Sequence, residues 1–204
     1  MSLLTDKLPQ RILIDDIVFD INTDFRTSIL FEELILNNDI NKIETRKEII
    51  NMYFPIVPEN EEQALNTIMW FYSCGRPEEE TDCKKQVHET NKSISDIYSF
   101  KYDDELIYSA FLDQYGIDLN DISYLHWWKF KAMFKGLKSD NKIVEIMGYR
   151  SMDLNTIKDK NQKEFYKKMQ DLYKLPEIIN KDELEKQKAL EDALLNGGDL
   201  SSIL

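Results

Sequence analysis

The run Tyr124-Leu125-His126-Trp127-Trp128-Lys129-Phe130-Lys131-Ala132-Met133-Phe134 constrains the fold of this chain more than any other stretch. At about 100° per residue, Leu119, Ile122, His126, Phe130, Met133 and Leu137 fall on one helical face. Trp127 and Phe134 flank that face on one side, Leu125, Trp128 and Ala132 on the other, and Tyr124, Lys131 and Lys135 are left as the chief wet positions. A helix apolar over so much of its circumference belongs at the centre of a bundle, so a central helix begun by Asp118 or Asn120 is expected, covering 119–137. His126 lies within the stripe, which predicts a hydrogen-bonded core histidine rather than a catalytic base or metal ligand. The two tryptophans point about 100° apart, so one interface buries at most one of them and the other is left to reach a partner or the amino-terminal part.

The elements around this helix follow from local patterns. Ile12-Leu13-Ile14 and Ile17-Val18-Phe19-Asp20-Ile21, separated by Asp15-Asp16, predict a β-hairpin that must pack on something helical to be stable. Asn22 or Thr23 is the expected cap of a helix to about Asn38, followed by helices over 45–53 and 59–74, the last ended by Gly75 and Pro77. Residues 76–98 turn polar and charged, with Glu78-Glu79-Glu80, and are expected to link a unit at 1–75 to a helical bundle at 99–176. In that bundle a helix starts at Asp103-Asp104-Glu105 and closes at Gly116, another covers 141–149, and a longer one ends near Tyr173 before Pro176. Leu154, Ile157, Phe165, Met169 and Leu172 share a stripe in the longer one. Residues 177–204 form a polar segment with helical propensity and little apolar surface. The fold class expected is mainly α, with a small amino-terminal hairpin packed on helices.

Charge and composition narrow the function. The net charge of -12 divides into 10 bases against 19 acids in 1–100, 13 against 12 in 101–175, and 3 against 7 in 176–204. An acidic chain is a poor nucleic-acid binder unless a local surplus is used, such as the 12 bases against 6 acids in 125–174. Two histidines and two cysteines nine positions apart (Cys74, Cys83) form no HxxxH, HExxH or CxxC cluster, so free thiols and no metal are expected. His88 stands alone in the charged linker. No GxSxG, GxxxxGK[ST] or GxGxxG motif occurs, and the paired acids sit at helix starts, where the macrodipole accounts for them. Neither a membrane span nor a secretory signal is visible, so a cytoplasmic, non-enzymatic protein without cofactors is expected.

The segments Tyr102-Asp103-Asp104-Glu105-Leu106-Ile107-Tyr108, Tyr115-Gly116-Ile117-Asp118-Leu119, Leu125-His126-Trp127-Trp128-Lys129-Phe130 and Ile146-Met147-Gly148-Tyr149-Arg150 resemble, in order and spacing, the bacteriophage gene-product-fifteen family of Gram-positive siphophages. Ile21-Asn22-Thr23-Asp24-Phe25-Arg26 resembles that family's amino-terminal signature. The resemblance implies a helical phage protein, usually encoded between the tail-tube and tape-measure genes, where tail assembly chaperones are found. It implies no catalytic residues. The partner it suggests is the tape-measure protein, with self-association left open. The aromatic surplus set among lysines, Tyr124, Trp127, Trp128, Phe134, Tyr149 and Tyr166, is the candidate protein-binding set. Two other readings stay open: an acidic regulatory or inhibitory module that binds protein, and a nucleic-acid-binding protein using Lys129, Lys131, Lys135, Lys138, Lys142, Arg150, Lys163, Lys167 and Lys168.

Overall fold

The computed structural model describes residues 2–76 and 97–176; His88, Cys83, most of the expected linker at 76–98 and the expected polar segment at 177–204 lie outside them. The chain opens with β1 (Arg11–Ile14) and β2 (Ile17–Asp20), paired antiparallel with Ile12 opposite Phe19. Asp15 and Asp16 make the turn, both at positive φ (48° and 62°), as a two-residue turn of the hairpin hand requires. Asp-Asp is a weak sequence for it, and the deficit is met from outside. The Asp15 N–H donates to Gln63 Oε1 at 3.0 Å, and Asp15 Oδ2 accepts from Asn60 Nδ2 at 2.9 Å.

Among the described residues the helices are α1 (Phe25–Asn37), α2 (Ile43–Tyr53), α3 (Glu61–Tyr72), α4 (Asp104–Tyr115), α5 (Trp127–Lys135), α6 (Lys142–Ser151) and α7 (Lys160–Leu172). Short polar side chains start several of them by accepting orphan N–H groups: Asp24 from Arg26, Asn60 from Gln63 and Asp159 from Gln162. Gly116 ends α4 in the left-handed region at φ 64°, where a side chain would be strained. The mainly helical fold with its small hairpin packed on helices is the one expected from sequence.

Two expectations are corrected. The central helix does not cover 119–137, because α5 begins only at Trp127. The preceding residues pair instead with the entry to α1: Phe25 N donates to the Leu125 carbonyl at 2.9 Å, and Trp127 N donates to the Thr23 carbonyl at 2.8 Å. Arg26 takes the Leu119 and Ile122 carbonyls at 2.7 and 2.8 Å, so this backbone is satisfied without a helix. The carboxy-terminal helix begins at Lys160, so Leu154 and Ile157 lie in the turn before it and not on its stripe. Residues from 1–75 and from 99–176 contribute to one hydrophobic core. Phe130 sits at its middle, stacked on Phe25 at 4.8 Å and on Phe111 at 5.0 Å between ring centroids.

Candidate protein-binding surface

Two helix starts meet back to back at the centre of the molecule. Asp24, which caps α1, and His126, which caps α5, form an antiparallel bridge, and Thr23 Oγ1 and Tyr124 Oη share a hydrogen bond of 2.6 Å. His126 Nδ1 accepts the Trp128 N–H at 3.1 Å, so the ring proton is on Nε2, which donates to the Pro9 carbonyl at 3.2 Å. Burial holds the His126 pKa below its ordinary value. The expectation of a buried, hydrogen-bonded histidine holds, although the residue starts the helix rather than lying midway along it.

Both tryptophans following it are buried, against the expectation of at most one. Trp127 Nε1 donates to the Tyr72 carbonyl at 2.9 Å and Trp128 Nε1 to the Phe71 carbonyl at 2.7 Å, so the adjacent indoles clamp the last turn of α3. The 100° between them is spent on two sides of one core. Phe134 is buried too, between Tyr98 and Phe100. The structure therefore places Trp127, Trp128 and Phe134 inside, while Tyr124 is exposed and its hydroxyl is bonded to Thr23.

Beside this clamp lies a charged network. The Tyr72 hydroxyl donates to the Glu32 carboxylate, and the Lys131 ammonium lies 5.3 Å from the Trp127 ring centre and 3.3 Å from the Tyr98 hydroxyl. Burial raises the Glu32 pKa, while the Tyr72 hydrogen bond works the other way. Burial also raises the Cys74 thiol to about 11, an inert thiol rather than a nucleophile. Among the described residues no group of three or more His, Cys, Asp or Glu side chains could hold a metal ion.

Tyr149 and Tyr166 are brought together at the far edge of the bundle, 6.1 Å between ring centroids, along with Phe165 at 6.0 Å and Tyr173 at 6.1 Å from Tyr149. This cluster holds α7 against α6, and no residue of α7 is buried. Phe165 and Leu172, two members of the expected stripe, are exposed. Leu172 lies at the rim of a cleft of about 360 Å³ that Tyr102, Leu106 and Ile146 also line and that the buried Asp103–Arg150 ion pair, at 2.7 Å, floors.

The chain matches the family described as Bacteriophage Gp15 protein over residues 4–175. It belongs to that family. No curated protein and no solved structure matches it. Two of the stretches that carry the family resemblance, 21–26 and 125–130, pair at the back-to-back helix starts. In this phage protein the central signature therefore builds the core, and the aromatic residues left exposed are Tyr102, Tyr124 and, on α7, Phe165. Sequence reasoning missed the exposed aliphatics of the hairpin, Leu13, Ile17 and Val18. Their signal was present, since Leu13 alternates with the buried Ile12 and Ile14 and so points outward.

Proposed function

We propose that this protein is a tail assembly chaperone, acting in the host cytoplasm, that binds the tape-measure protein during siphophage tail morphogenesis. The role fits the place that the family's genes usually occupy, between the tail-tube and tape-measure genes. A tape-measure protein is a very long, mostly helical chain whose apolar stripes need reversible cover until the tube polymerises around it. The observation that carries the reading is α7: an amphipathic helix with none of its residues buried, presenting Phe165 and Leu172 beside lysines and backed by the Tyr149 cluster. Such a face suits a second helix laid along it. Among the described residues no helix is long and apolar enough to cross a membrane.

The nucleic-acid reading is weakened by where its cations go. Arg150 is buried against Asp103, and Lys131 packs on Trp127 and Tyr98, so neither is presented to a phosphate backbone. Co-expression with the tape-measure product of the same phage genome tests the proposal. It predicts increased solubility of that product and co-purification of the two; no change in solubility with no co-purification overturns it.

A further inference from the structure

We infer that the protein associates head to tail with further copies of itself, the hairpin end of one molecule docking on α7 of the next. The inference needs only this chain and stands whether or not the tape-measure reading does.

The head is the outer face of the hairpin. Leu13 and Val18 are cross-strand partners on it, 59% and 60% exposed; Ile17, opposite the buried Ile14 and so on the other face, is 59% exposed at the turn end and extends the aliphatic surface there. The Asp15 N–H bond to Gln63 and the Asn60 bond to the Asp15 carboxylate bring the turn against the start of α3, so the acids of both gather at this end of the molecule. Residues 15–20 and 59–62 carry six carboxylates and no base. Asp20 is engaged by Arg11 at 2.7 Å, which leaves the turn and the α3 start as the main negative charge at this end.

The tail is α7. Phe165 and Leu172, 48% and 64% exposed and seven positions apart, lie along one line of the helix, with Lys168 one turn from each. From 158 to 174 the chain carries six lysines and three acids. Exposed apolar side chains thus lie at two places of opposite charge. The hairpin packs on α3 and α7 packs on α6, so the two faces ride on different elements. Complementary faces at two different places on one molecule make a heterologous contact, which closes into rings or grows into chains. Both faces are small against a standard interface, so the contact is weak, reversible and salt-sensitive. A partner that uses α7 competes with it.

Sedimentation equilibrium of the full chain at low ionic strength tests this. The average mass is expected to rise above the monomer's 24.2 kDa with concentration and to return to it in molar salt. Val18→Asp spoils only the head and Phe165→Asp only the tail, so each variant alone is expected to stay monomeric. Mixed, they retain one intact head and one intact tail, and are expected to form a dimer that grows no further. Lys167→Glu/Lys168→Glu replaces Phe165→Asp if the latter loses its far-ultraviolet helical signal. A wild-type chain monomeric throughout, single variants that still assemble, or a mixture that stays monomeric overturns the inference.

Discussion

His126 holds two elements with one ring, and this makes it sensitive to protons. Its Nδ1 must stay an acceptor to cap α5, while Nε2 donates to Pro9, so a second proton would set a donor against the Trp128 N–H. Burial lowers its pKa from the ordinary 6.5, whereas the unfolded chain keeps that value. The unfolded state therefore takes up the proton first as pH falls. Stability is complete above the ordinary histidine range and is lost progressively below it, down to the folded-state pKa. Urea unfolding from about pH 8 to about pH 5 is expected to show that loss, and His126→Asn, which keeps a capping acceptor and does not titrate, is expected to flatten it. Equal losses in the two proteins would remove His126 as the cause. Glu32, raised by burial, works in the opposite direction but is common to both. That His126 would be buried was legible in the apolar stripe; its capping role was not, because it depends on Pro9, 117 positions away. Gly75 is a second case. Its φ is +70°, and a Cβ there would lie 2.8 Å from Trp128 Cη2. Gly75→Ala is expected to cost about 1–3 kcal/mol in thermal unfolding, combining left-handed strain with a clash against a clamped indole. A wild-type melting temperature would show that the indole can move aside.

At the scale of elements, local signals served where the chain's neighbours left them alone. The acidic start at Asp104 and Glu105 and the glycine stop at Gly116 mark α4 in sequence as they do in the structure. The stretch before Trp127 has helical periodicity too, yet its carbonyls and N–H groups are claimed by Thr23, Phe25 and Arg26, and such tertiary bonds leave no trace in a local pattern. The start of α7 was misplaced for a related reason, since Leu154 and Ile157 continue the spacing while Asp153 and Asp159 break the helix between them. Elements also meet through one buried pair. Arg150, near the end of α6, donates to both carboxylate oxygens of Asp103 at 2.7 and 3.0 Å, and to the Ile97 and Tyr173 carbonyls at 3.2 and 2.6 Å. The guanidinium thus ties α4, α6 and the chain after α7 together. Arg150→Met strands a buried carboxylate and is expected to cost about 3–5 kcal/mol in denaturant unfolding. Arg150→Met/Asp103→Asn, which keeps the Ser99 N–H bond at 2.9 Å and removes the charge, is expected to be more stable than the single variant. If the double variant is the weaker of the two, the carboxylate is not the source of the loss.

For the whole molecule, the charged stretch after Gly75 suggested two units, and what joins them is aromatic packing across a large separation in sequence. Phe25 from the first half and Phe111 from the second both stack on Phe130, and the indoles of Trp127 and Trp128 hydrogen-bond to the end of α3. No composition window reports such a contact, because each half carries enough apolar residues to have a core of its own. A shared core has a thermodynamic signature: neither half can unfold while the other keeps its surface buried. Tryptophan fluorescence, which reads Trp70, Trp127 and Trp128 at the junction, and far-ultraviolet circular dichroism, which reads all the helices, are therefore expected to trace one urea transition with one midpoint. Phe130→Ala empties the centre of that stack and is expected to lower stability by about 3–5 kcal/mol, moving both curves together. Two midpoints in the wild-type chain, or a fluorescence transition that shifts while the dichroism curve stays in place, would mean that the halves unfold separately and that the aromatic stack does not couple them.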